Sequence, residues 1–214
     1  MTSRRLLLIA SLAAVLFPGH EAFARCEPKH TLKIVVSVED AELPADHFSR
    51  RPKTIYRSGR MLGRVEEEPN ASTGRHMLVV VNGADLWIVN LADKTGQHAV
   101  DPGPSLAFRA PVVGDVESEY WNNFEFGCEL PFMQAVGTEK SAAPGSDERV
   151  YEHAKEGTTV QLVSVKGIPR RVTIETTDRR FAFVYHSFEQ LTNADPALFE
   201  KPPGITFTEA TPSP

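Results

Sequence analysis

The residues of this chain that could do acid–base or metal chemistry are scattered. Beyond residue 24, histidines stand at 30, 47, 76, 98, 153 and 186, and no two share the spacing that places a pair of imidazoles on one metal ion. There is no Gly-x-Ser-x-Gly elbow, no His-Glu-x-x-His pair and no phosphate-cradling glycine loop. The run Glu66-Glu67-Glu68 reads as a solvated strand end. His186 lies in a strongly apolar stretch and reads as a packing residue with a satisfied ring. As a base it would need acidic partners from elsewhere in the chain. Asn70-Ala71-Ser72 matches a glycosylation sequon by chance, because the N-terminal leader has a bacterial form. The expectation is therefore no catalytic residue, no metal and no cofactor.

The sequence is richer in side chains that bind by burial. Trp87, Val89, Trp121, Phe124, Phe132, Phe183 and Tyr185 come from separate segments and are the candidates to contact a hydrophobic ligand. One reading makes them an ordinary shared core. The other makes them the walls of a hollow for an acyl chain. At about 25 cal/mol per Å², or about 0.8 kcal/mol per methylene, such a chain binds without any polar motif.

Compartment follows from the N-terminus and the cysteines. Arg4-Arg5 precede an apolar stretch from Leu6 to Phe17, too short to span a bilayer, and Ala22-Phe23-Ala24 sets small residues where a signal peptidase cuts. Residues 1–24 are expected to be a signal peptide cleaved after Ala24, which implies a periplasmic or secreted protein. General secretion fits better than twin-arginine export, and Arg25 before Cys26 argues against a lipobox. The remaining 190 residues suit one domain, expected over 25–206, with a flexible tail at 207–214. Without the leader's two arginines and one glutamate, 21 basic and 27 acidic residues remain, a net charge of −6. That excludes a basic nucleic-acid surface, and no later segment reaches transmembrane length. Cys26 and Cys128 read as a disulfide closing a loop worth about 4–5 kcal/mol in the chain-entropy description. A reactive thiol is the alternative, without a Cys-x-x-Cys pattern to favour it.

Period-two hydrophobicity dominates the rest. Strands are predicted over 31–39, over 53–68 as a pair turning at Ser58-Gly59, and over 77–90 as a hairpin at Asn82-Gly83. Others are predicted around 95–101 and over 158–167, 169–177 and 180–191. In the last of these, Phe181, Phe183 and Tyr185 share one face, with Ala182, Val184 and Phe188 on the other. Helix is expected only within 115–137, ending first at Gly127 and restarting at Pro131, and 138–149 reads as a polar loop. This is a mainly β (α+β) fold: a single curved antiparallel sheet, an incomplete barrel, with a short helical insert covering its concave face.

The order of these features resembles a known family. "VVVNGADLWIVNLADKTGQ" (79–97), the strand pair "RPKTIYRSGRMLGRVEE" before it, "FEFGCELPFMQAVG" and the closing "YHSFEQLTNADPALFEKPPGI" are similar to the periplasmic outer-membrane lipoprotein carrier superfamily (LolA-like), among its secreted members. Asn90-Leu91 stands where the carrier has Asn-Pro. The resemblance implies a half-barrel with a helical lid, an apolar interior, and a strand arginine tying the closed state to the helices. Arg51, Arg57 and Arg64 are the alternatives for that arginine. The function it implies is non-enzymatic binding or carriage of a lipid or a lipoprotein acyl chain. The alternative is a β-rich module with a filled core that docks another cell-envelope protein.

Overall fold

The computed structural model describes residues 26–45, 47, 50–100, 120–140 and 145–209. The expected leader and its cleavage point lie outside the described residues. Strands β1 (Thr31–Asp40), β2 (Lys53–Ser58), β3 (Leu62–Glu67), β4 (Met77–Asn82), β5 (Asp85–Asn90) and β6 (Thr95–Val100) form one antiparallel meander. A second contains β7 (Thr138–Lys140), β8 (Glu148–Lys155), β9 (Thr158–Val165), β10 (Ile168–Glu175) and β11 (Arg180–Leu191). Pairing of β1 with β11 joins the two, and β12 (Thr206–Glu209) lies parallel to β6 at the far edge. The described residues form one open, curved, twelve-stranded sheet with one α-helix, α1 (Glu129–Val136), and a mainly β, incomplete barrel with a short helix is the fold class the sequence predicts.

Alternation explains which face is covered. Leu32, Ile34 and Val36 of β1 point the same way as Val160 and Leu162 of β9, Val172 and Ile174 of β10, and Phe181, Phe183 and Tyr185 of β11. A plug built from residues 120–136 lies on that face and adds Trp121, Phe124, Phe126, Phe132 and Met133 to the same core. Helix α1 rests against β8, β9 and β10.

Local details depart from the sequence reading. Asn82 pairs with Asp85, so the centre of the hairpin is Gly83-Ala84 rather than Asn82-Gly83. Only Gly83 needs the left-handed region there (φ +62°), as in a two-residue turn with glycine first. In β11 the register slips so that Tyr185 faces Val36 while Ser187 faces Val35, leaving His186 as an extra residue. The bulge carries Phe188 onto the same face as Phe183 and Tyr185, where it packs on the core, contrary to simple alternation. The first predicted helix is reduced, in its described part, to a 3-10 turn at Trp121–Asn123. The second starts at Glu129, with Pro131 in its first turn, where a missing N–H is harmless. The polar loop expected over 138–149 gives up its ends to β7 and β8, two strands that the sequence reading lacks. Strand β8 hides well because Glu148, Arg149, Glu152 and Lys155 flank its buried Tyr151. Phe207, Thr208 and Glu209, expected in a flexible tail, belong to β12.

Candidate functional site: the plug and the cavity beside it

Ile55 and Arg57 share the inward face of β2, so a guanidinium is directed into an apolar layer and is 1% exposed. It persists there because its acceptors surround it. Nη1 donates to the Phe126 carbonyl at 2.7 Å, Nη2 to the Cys26 carbonyl at 3.1 Å, and Nε to the Gly59 carbonyl at 3.2 Å. Glu125 completes the set as an ion pair. One side chain thus connects the sheet, the N-terminal segment and the plug. Of the three alternative arginines, it is the one that reaches the plug: Arg51 binds the Pro69 carbonyl, and Arg64 binds Glu66 and the Leu198 carbonyl.

The disulfide Cys26–Cys128 fastens the same place covalently, with Cα atoms 5.9 Å apart across 102 residues. That is the bond of an oxidising compartment. Between the arginine and the helix, Gly127 takes φ +86°, and a Cβ there would stand 2.4 Å from Leu32 Cδ1. Glu129, next to the disulfide, is fully buried: Tyr185 Oη donates to its Oε1 at 2.5 Å and the Gly127 amide to its Oε2 at 2.8 Å. Burial raises the Glu129 carboxyl above the ordinary range, with the two donors pulling the other way. Burial, then the neighbouring Glu129, pushes the Tyr185 phenol well up.

The opposite end of the plug leans on β8. Tyr120 Oη lies 2.6 Å from His153 Nε2, and Trp121 Nε1 donates to the Lys155 carbonyl at 3.3 Å. Lys155 Nζ sits 3.9 Å over the Tyr120 ring. Burial lowers the pKa of His153, favouring a neutral ring that can accept from the phenol.

Of the seven expected ligand-contacting residues, five come together in the plug core: Trp121, Phe124, Phe132, Phe183 and Tyr185. Trp87 and Val89 do not join them. Val80 pairs with Trp87 and Val81 with Leu86, and adjacent strand residues face opposite ways. Trp87 and Val89 therefore pack with Leu78 and Val80 on the other face, beneath Ile205 and Phe207. None of the seven lines the cavity of about 330 Å³ that opens beside α1. Its walls include Leu32, Leu130, Pro131, Pro169 and Phe188, and Lys29, His30 and Gln190 belong to its rim. The sequence reading missed this cavity because the N-terminal segment, α1 and the β9–β10 turn converge only in three dimensions. Arg57 did leave a signal: a charged residue at an inward position of an alternating strand.

Two further histidines, His186 and His98, make contacts within the sheet. His186 is exposed on its bulge and bonds Ser37 Oγ at 2.8 Å. Among the described residues, no three His, Cys, Asp or Glu side chains are grouped to hold a metal ion. His98 stacks on Trp87, with ring centroids 5.6 Å apart, and lies between two carboxylates: Nε2 is 2.7 Å from Asp85 and Nδ1 is 3.0 Å from Glu209. Hydrogen bonding to Asp85 and then to Glu209 raises its pKa above 6.5. Its contribution is therefore complete below 6.5 and disappears as pH rises through the folded-state value. Hydrogen exchange at 206–209 should accelerate over that interval beyond the intrinsic pH dependence of exchange. In His98→Ala that additional acceleration should vanish.

No family model and no curated protein matches the chain. Among solved structures it is similar to an uncharacterized conserved protein from Thermus thermophilus at TM-score 0.48 and 11% identity, covering 85% of this chain and 91% of that one. It is similar to a LolA superfamily protein from Nitrosomonas europaea at TM-score 0.36 and 10% identity, covering 81% and 91%. A putative outer membrane lipoprotein-sorting protein domain from Vibrio parahaemolyticus matches at TM-score 0.29 and 14% identity, covering 79% and 87%.

Proposed function

We propose that this protein is a non-enzymatic binder or carrier of a single apolar chain, a lipid or lipoprotein acyl chain, working in the cell envelope. The observation that supports this reading is how the concave face is closed. Among the described residues no second sheet covers it; a plug of one 3-10 turn and an eight-residue helix lies on it, and a 330 Å³ cavity opens at its edge. That volume lies within the roughly 300–1,000 Å³ span of small-molecule sites. A chain entering along Leu32, Leu130 and Phe188 would meet the plug core next. Trp121, Phe124, Phe132, Phe183 and Tyr185 are then the surfaces exposed to it once the plug lifts. Buried Glu129, with both oxygens engaged, reads as a fastening of the plug rather than as a general base.

Titration of delipidated protein with the neutral dye N-phenyl-1-naphthylamine tests this. Saturable one-site binding, displaced by dodecanol, is expected. Leu130→Trp, which fills the cavity from the partly exposed side of α1, should weaken uptake at least tenfold. Native mass spectrometry of protein from the envelope should show a co-purified lipid mass. Failure of both would favour the docking-module reading.

A further inference from the structure

We propose that the cavity beside α1 takes an anionic amphiphile, with its apolar chain against Leu32, Leu130 and Phe188 and its acidic head group held at the mouth by Lys29 and His30. This names the ligand class for the site proposed above and rests on that reading.

The mouth sets cationic side chains beside an apolar wall. The chain carries net charge −5, and several of its lysines are matched to acids: Lys53 with Glu67, Lys140 with Glu152, Lys166 with Asp147. Lys29 and His30 are exposed at the cavity mouth, and neither makes a hydrogen bond or ion pair among the described residues. Glu129 in the cavity wall and Glu27, close by in sequence, are both directed elsewhere. Glu129 lines the cavity, but Tyr185 and the Gly127 amide occupy its carboxyl, which burial favours in the neutral form. Glu27 directs Oε1 toward Gly59, 3.3 Å from where a Cβ would stand. An acidic head group therefore meets an ammonium, an imidazole and the Gln190 amide, while both oxygens of Glu129, the acid among the cavity residues, are engaged by Tyr185 and the Gly127 amide.

The mouth is also held in place. Residues 26–30 are anchored at one end by the disulfide and by the Arg57 bond to the Cys26 carbonyl, and at the other by β1. Lys29 and His30 thus come to the ligand with little backbone entropy left to lose. A carboxylate and a phosphate monoester share the required chemistry, and both are included in the test.

Isothermal titration of the full delipidated chain should use five probes: dodecanoate, dodecyl phosphate, dodecanol, dodecyltrimethylammonium and inorganic phosphate. At least one anionic amphiphile is expected to bind tenfold or more tighter than dodecanol, with the trimethylammonium compound weakest and inorganic phosphate silent. Whichever anion is tighter identifies the head group. Lys29→Ala/His30→Ala alters exposed side chains only and should bring the anions down to the affinity of dodecanol while leaving dodecanol unchanged. Equal binding of dodecanol and both anions, a preference surviving the double variant, or inorganic phosphate binding as tightly as dodecyl phosphate would each overturn the proposal. If no twelve-carbon probe binds, the apolar-chain reading itself has failed, which is a different result.

Discussion

Arg57→Leu is expected to lower the unfolding free energy by about 3–5 kcal/mol, the usual consequence of removing one partner from a buried ionic cluster. The size follows from what is left behind. Glu125 loses its ion-pair partner, and the Phe126 and Cys26 carbonyls lose their donors beneath the plug. Leucine restores apolar volume and satisfies none of them. Arg57→Lys should recover only a small part, because a single ammonium cannot reproduce a planar fork reaching four acceptors. Urea unfolding followed by circular dichroism gives the free energy. Fluorescence of Trp121, isolated by Trp87→Phe, should change at lower urea than the sheet signal, because the plug loses its tether first. Coincident transitions with an unchanged midpoint would show that the arginine does not hold the plug.

Replacing both Cys26 and Cys128 with serine is expected to cost about 4–5 kcal/mol, the chain-entropy value for a loop of this length. The bond joins the segment that carries the cavity mouth to the residue preceding α1, so the loss should be felt in one region. Limited proteolysis should cut residues 26–30 and the plug before any sheet hairpin. Thermal unfolding with and without reductant should reproduce the deficit in wild type and leave the serine variant unaffected. The two fastenings share an atom group, since Arg57 donates to the carbonyl of Cys26. Combining Arg57→Leu with the cysteine pair should therefore cost less than the sum of the separate losses. Additive losses would mean that the two hold different parts of the molecule.

Arg57 also shows how far the sequence could be read. Its inward register was visible in "KTIYRS", yet Arg51 and Arg64 had equal standing there, because choosing among them depends on residues 68 and 69 positions away along the chain. The disulfide was legible because two cysteines allow a single intramolecular pairing. Phe188 was assigned to the wrong face because a bulge at His186 is set by the pairing of β11 with β1, not by β11 alone. Strand β8 escaped because Tyr151 is its one buried residue and charged residues stand on both sides of it in sequence, a pattern that a polar loop shares.

The amino-acid sequence by itself determined the element types and most of their order: alternation, turn glycines and the scarcity of helix leave an open, mainly β sheet with a short insert. These are local properties, written in periods of two and in residues that tolerate positive φ. The tertiary structure alone decided which faces are covered and by what. It put Trp87 under the C-terminal strand, away from the plug, and assembled a cavity from segments that begin near residues 26, 127, 167 and 188. It also left Lys29 and His30 unmatched at the mouth of that cavity. Cavities and buried charges are products of long-range convergence, and no periodicity within a strand encodes which distant strand will lie beside it.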